Sequence, residues 1–133
     1  LYVHASEKDG VLAGWIQDGS LDLFVWFEKG VPIHLQIVAD ANVVEWVAPG
    51  RLRTGVVRAP PRPGLAAASE LIDVDRQRKS ERVDAIFVAV KAAALAEEVK
   101  SFVTGLLSGK TSSEHTPQVE RVFRAALERG SAR

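Results

Sequence analysis

The chain has 133 residues, 47% hydrophobic and 26% charged, and its 17 basic and 17 acidic side chains leave no net charge. That length suits one domain, and that composition excludes a disordered, collagenous or low-complexity chain. The lack of cysteine excludes disulfides, thiolate catalysis and cysteine-held zinc, and no apolar run approaches the roughly 18 residues of a membrane span.

The first 58 residues read as six strands separated by turns. Leu1–Ser6 leads through Glu7-Lys8-Asp9-Gly10 to Val11–Gln17, and Asp18-Gly19 is a hairpin signal before Leu21–Phe27. Glu28-Lys29-Gly30 precedes Val31–Val38, Asp40-Ala41-Asn42 precedes Val43–Val47, and Ala48-Pro49-Gly50 precedes Arg51–Arg58. Connections this short make neighbouring strands antiparallel, so the simplest arrangement is a meander.

Residues 59–79 form a proline-rich connector. Ala59-Pro60-Pro61-Arg62-Pro63-Gly64 lacks too many amide donors for a helix or a central strand, and Leu65–Ile72 reads as a short helix interrupted by Asp73-Val74-Asp75. From Ser80 the apolar period changes from 2 to 3.6. Val83, Ile86, Phe87, Val90 and Ala94, continued by Leu95, Val99, Phe102, Val103, Leu106 and Leu107, predict one long helix over 80–108 that stops at Gly109. Thr116 and Pro117 open a shorter helix that carries Val119, Val122, Phe123, Ala126 and Leu127 and ends at Gly130. The expected fold is a single α+β domain over 1–133, an antiparallel meander of about six strands with the long helix packed on one face.

Turn lengths give a register. A two-residue loop at Asp18-Gly19 sets Trp15 opposite Asp22, and a three-residue loop ending at Gly30 sets Phe24 opposite His34 and Asp22 opposite Gln36. Loops at 39–42 and 48–50 set Leu35 opposite Trp46, Gln36 opposite Glu45 and Glu45 opposite Arg53. One face is then almost wholly apolar, running from Leu12 and Ile16 through Leu23, Val25 and Leu35 to Trp46, and needs the helix as its cover. The other face is mixed: Asp22, Gln36, Glu45 and Arg53 make a polar row ending at Trp15, beside a row of Phe24, His34, Val47 and Arg51 with Trp26 and Pro32 beyond.

Trp15, Asp22, Phe24, Trp26, His34, Gln36, Glu45 and Arg53 are therefore the candidate binding residues. Aromatic rings on a face without a helix call for a cover, and this favours a non-catalytic domain that docks a protein partner or a second copy of itself. Two other functions stay open: a small molecule held between the sheet and the long helix or near Trp15 and Trp26, and a small hydrolytic enzyme using Asp22 and His34.

Other chemistry lacks its pattern. His4, His34 and His115 have no ligand spacing, so no metal is expected, and nothing calls for a cofactor. Ser108-Gly109-Lys110-Thr111 ends like a phosphate-binding loop, but Thr104 stands where the first glycine belongs and the segment follows a helix instead of opening one. Charge is uneven. Residues 1–50 hold seven acids against two lysines, a balance of −5, and residues 51–82 hold eight basic groups against four acids, +4. The basic stretch is interleaved with Glu70, Asp73, Asp75 and Glu81 and carries no recognition motif, so nucleic acid is not the expected partner. A cytoplasmic location is expected from the lack of cysteine and of a signal-peptide pattern. The chain opens at Leu1 and contains no methionine, so it is expected to lack its native start.

Leu21-Asp22-Leu23-Phe24-Val25-Trp26-Phe27, followed by Gly30-Val31-Pro32 and Leu35-Gln36, resembles a pattern in small uncharacterised bacterial proteins. There an Asp-bearing strand ending in Val-Trp is followed by a turn and a Phe-Gln strand. The likeness spans about residues 15–46, with Leu35 in place of the phenylalanine. It implies a bacterial origin and a hairpin at this point, and no catalytic residue.

Overall fold

The computed structural model describes residues 1–57, 72–110 and 112–131. Seven strands form one antiparallel meander in chain order: β1 (Tyr2–Lys8), β2 (Val11–Asp18), β3 (Leu21–Glu28), β4 (Val31–Ala39), β5 (Asn42–Val47), β6 (Arg51–Val57) and β7 (Ile72–Val74). Three helices follow, α1 (Ser80–Ala92), α2 (Glu97–Leu107) and α3 (Thr116–Ser131). The α+β class and the meander are as the sequence predicts. The seventh strand is not: Ile72 lies in a strand paired with Val57, and Val74 pairs with Gly55. Most of the predicted connector and its short helix lie outside the described residues.

Two hairpin registers differ from expectation, β2–β3 by two residues and β3–β4 by one at the turn and two beyond a bulge. Between β2 and β3 the loop is Gly19-Ser20, not Asp18-Gly19, so Asp18 pairs with Leu21 and Trp15 with Phe24. Gly19 has φ 59°, which suits the first position of a tight hairpin loop, where glycine is favoured. Between β3 and β4 the loop is Lys29-Gly30, and a bulge beyond it lets Phe27 pair with Pro32 while Trp26 pairs with His34. An error of two preserves the side-chain face, because the strand repeat is two. The β4–β5 and β5–β6 registers match expectation, with Gln36 opposite Glu45 and Glu45 opposite Arg53.

The predicted long helix is two helices. Ala93 and Ala96 are both extended, and Asp18 Oδ2 accepts a hydrogen bond of 2.8 Å from the Ala94 N–H freed between them. Lys100 Nζ donates to the Lys91 carbonyl at the end of α1. No glycine or proline marks the break; a partner from β2 holds it. The charges do fit two helices, with Lys91 in the last turn of α1 and Glu97 and Glu98 in the first turn of α2. Gly130 does not end α3, which runs to Ser131.

All three helices join the core on the apolar face. The α1 helix lies against β4, β5 and β6, α3 against β1 and β2, and α2 touches both helices. Leu12, Leu23, Val25, Phe27, Leu35, Ile37 and Trp46 from the sheet meet Ile86, Val90, Phe102, Leu106 and Phe123 in one cluster. Phe27 is its hub, with ring centroids 6.1 Å from Phe102 and 6.2 Å from Phe123. Each buried side chain of this size contributes about 1.5–3 kcal/mol, so this layer dominates stability. Gly14 is a requirement of the packing, since any Cβ there would run into the Phe123 ring. Among the described residues no helix is long and apolar enough to cross a membrane.

The first turn of α1 is tied to the sheet by a polar clamp that sequence reasoning missed. Asp75 accepts hydrogen bonds from Thr54 Oγ1 (2.7 Å) and Arg82 Nε (2.8 Å), and Arg82 Nη1 donates to Asn42 Oδ1. Thr54 Oγ1 also accepts from the Lys79 N–H. The hydrogen bond from Thr54, then the pairing with Arg82, holds the Asp75 carboxyl below its ordinary range.

Candidate functional site

The corrected register draws the candidate residues into three adjacent rows on the face the helices leave. His4, Trp15, Phe24, Gln36, Glu45 and Arg53 pair in direct succession across β1 to β6. Trp26 and His34 form the next row on one side, and Asp22 belongs to the row on the other, opposite Gln17 and Val38. All eight predicted residues thus share one face. Phe24 sits beside Gln36, and His34 beside Trp26, in place of the expected Phe24–His34 and Asp22–Gln36 pairs.

The β1–β4 half of this face is an aromatic ladder. Trp15 and Phe24 stack with centroids 5.7 Å apart and planes 5° from parallel, Phe24 and Trp26 follow at 6.2 Å, and Trp26 and His34 at 4.4 Å. Tyr2 meets the edge of Trp15 at 5.3 Å. Such pairs contribute about 0.5–1.5 kcal/mol each beyond their buried area. Trp15 is 4% exposed and Phe24 1% exposed in the single chain, so no second chain is needed to take them out of water. Trp26 is half-buried, and Tyr2 is 47% exposed.

The β4–β6 half is polar. Glu45 is buried and accepts from His34 Nε2 at 2.6 Å and from Arg53 Nη2, so both its oxygens are engaged. The His34 hydrogen bond, with a smaller contribution from Arg53, outweighs burial and holds Glu45 below its ordinary value. Asp22 is the contrary case. Burial pushes its carboxyl up, against a 2.8 Å hydrogen bond from Trp15 Nε1 that pulls it down.

Asp22 and His34 do not form an acid/base pair. His34 pairs with Trp26, four residues along β3 from Asp22, which places them roughly 13 Å apart at about 3.3 Å per residue. Their hydrogen bonds go to different partners, Trp15 and Glu45. Among the described residues no group of three His, Asp or Glu side chains is placed to hold a metal ion.

Gln36 stands apart from this network. Its side chain is 0% exposed, yet neither Nε2 nor Oε1 has a partner, and Arg53 Nε is also buried and unpartnered. Native proteins leave few such groups unsatisfied, because each costs about 1–3 kcal/mol. Gln36 lines a cavity of about 180 Å³ together with Glu45, Arg53 and Thr54, and Val43, Ile72 and Val74 supply apolar wall. The Trp46 indole N–H is likewise unpartnered, but Trp46 belongs to the apolar core and does not line this cavity. Sequence reasoning placed Gln36, Glu45 and Arg53 in one row but missed the wall from Ile72 and Val74, which exists only because β7 pairs with β6.

The centre of the space between sheet and helices, one of the two expected ligand positions, is filled by Trp46, Phe27, Phe102 and Phe123, all fully buried, and a recess of about 350 Å³ opens only at its edge, beside Leu52, Val83 and Leu107. Comparison with protein-family models, curated proteins and solved structures gave no match, so the resemblance over residues 15–46 rests on the quoted residues alone.

Proposed function

We propose that this is a small-molecule binding domain whose ligand occupies the cavity over β4–β6. The carrying observation is the Gln36 amide, fully buried and without a partner, in a residue that borders a recess of about 180 Å³. The fixed polar groups beside it support the reading. Glu45 is locked between His34 and Arg53, which leaves the Gln36 amide and Arg53 Nε as the buried polar groups of these lining residues without a partner. A pre-formed recess with a few oriented polar groups and apolar walls is the usual form of a small-ligand site.

The expectation of a protein partner or a homodimer on this face has less to support it. Its motive was exposed aromatic surface, and Trp15 and Phe24 are already buried. A hydrolytic role is weakened in the same way by the separation of Asp22 from His34.

Side-chain amide resonances offer the direct test. The Gln36 NH₂ pair is to be followed by ¹H–¹⁵N NMR while acetamide, imidazole, acetate and glycerol are added in turn. A saturable shift at Gln36, absent for surface amides, is expected from at least one probe. A Gln36 pair indifferent to every small polar probe would remove the basis of the proposal.

A further inference from the structure

The break between α1 and α2 is held against the preference of its own residues. In Ala92-Ala93-Ala94-Leu95-Ala96 every position but one carries alanine, the strongest helix former, and the other carries leucine. Yet Ala93 (φ −72°, ψ 157°) and Ala96 (φ −60°, ψ 147°) are extended, and no side chain caps α2 at Ala96. Two side-chain contacts cross the break, Asp18 Oδ2 on the Ala94 N–H and Lys100 Nζ on the Lys91 carbonyl, each 2.8 Å. Both are exposed, where water competes for the same groups.

If these residues rewound, α1 and α2 would become one helix over 80–107. Its two buried stripes would not line up. Val99 lies nine residues beyond Val90, about two and a half turns at 3.6 residues per turn. Ile86 and Val90 would therefore face their own sheet while Val99, Phe102 and Leu106 faced away from it. The α3 helix packs on α2 and would travel with it. The surface that fits this uncovered face is the one it left, a sheet of the same sequence, where Phe27 meets Phe102 and Phe123.

We infer that this domain takes a second copy of itself as partner by swapping α2 and α3 about the hinge at 92–96, with Asp18 as the latch of the single-chain form. Each sheet then receives the same two helices from its partner, so the core is rebuilt twice, and each hinge gains helical hydrogen bonds in place of the Asp18 contact. The recess beside Gln36 lies on the other face of the sheet and is not altered, so this inference does not rest on the binding reading.

Glu97→Pro tests the hinge geometry without touching the latch. Glu97 opens α2, a position that suits proline, and Ala96 before it already has the extended backbone that a following proline requires. In a fused helix the same proline would stand in the interior and break it. Wild type, Asp18→Ala and the double variant Asp18→Ala/Glu97→Pro are to be refolded from urea over a series of protein concentrations, and the dimer measured by light scattering on a sizing column. Asp18→Ala is expected to raise the dimer fraction about fivefold over wild type, the factor by which one lost cap shifts an equilibrium. The double variant is expected to return to the monomer. If Asp18→Ala does not refold, wild type is compared with Glu97→Pro alone at the highest concentration, and a dimer in wild type only is the expected result. A dimer that survives Glu97→Pro would mean association through an outer surface, and monomer in every chain that folds would mean that the hinge stays closed. Either result overturns the inference.

Discussion

Leu35 and Gln36 are neighbours on β4, both 0% exposed, and they face opposite ways. Leu35 enters a helix-covered layer in which almost every neighbour is apolar. Gln36 enters a layer with an aromatic ladder at one end, an ion chain at the other and an unsatisfied amide between them. Equal burial therefore has different meanings on the two faces. On the helix side it measures stabilisation, since among the described residues no buried side-chain polar atom of that layer is left unpaired apart from the Trp46 indole. On the other side it includes a group whose burial costs stability.

The largest expected effect follows from this contrast. Leu35→Ala should destabilise the domain by about 2–5 kcal/mol, the range for buried leucines whose cavity cannot collapse. Gln36→Met, of similar shape, should instead leave stability unchanged or raise it by about 1 kcal/mol, because it removes an unpaired amide from the interior. Urea denaturation of both variants measures the difference. If Gln36→Met were as costly as Leu35→Ala, the amide would have partners in solution, and the two faces would be alike.

The contrast was partly legible in the sequence. Period-two alternation assigned each strand residue its face, and that assignment survived two wrong loops because the β2–β3 error is two and the bulge at Trp26/Phe27 brings the one-residue β3–β4 loop error to two. Gln36, Glu45 and Arg53 were aligned because the last two loops have lengths that admit one register. What was illegible depends on contacts distant along the chain. The β7 strand is three residues long, too short for a periodic signal, and is identified by its pairing with β6. The division of α1 from α2 falls in an alanine run of high helix propensity, Ala92-Ala93-Ala94-Leu95-Ala96, and is fixed by Asp18 from 76 positions earlier. Nor could any pattern show that Gln36 lacks a partner, since only coordinates record what an amide fails to touch.

That division supplies a smaller effect, confined to the helix side. Asp18 Oδ2 serves the Ala94 N–H as a capping side chain serves a helix N-terminus. Asp18→Ala should therefore cost about 1 kcal/mol, within the usual range for lost caps. Asp18→Asn should recover most of that, because an amide oxygen also accepts. Hydrogen exchange at Ala94 locates the change: faster exchange in Asp18→Ala, with the Gln36 side untouched, is the expected outcome. Unaltered exchange would mean that the break is held by packing alone.

The smallest effect lies within the mixed face, where two buried carboxyls respond to pH in opposite senses. Glu45 is held below its ordinary 4.5 by His34 and Arg53, so the folded state binds its proton less readily than the unfolded one. Its contribution is complete above the unfolded value and is lost as pH falls through the lower, folded value. Asp22 is pushed above its ordinary 3.8 by burial, so its folded state holds the proton longer. Stability from Asp22 is present below 3.8 and is lost as pH rises through the raised value, which leaves the ionised carboxylate a burden at neutrality. Asp22→Asn should then raise the denaturation midpoint near neutral pH, with the Trp15 hydrogen bond preserved through the amide oxygen. Glu45→Gln should lower the midpoint at neutral pH and flatten the acid limb below 4.5. Midpoints of both variants from acid to neutral pH decide the matter, and parallel shifts of the same sign would show that the two carboxyls share one environment.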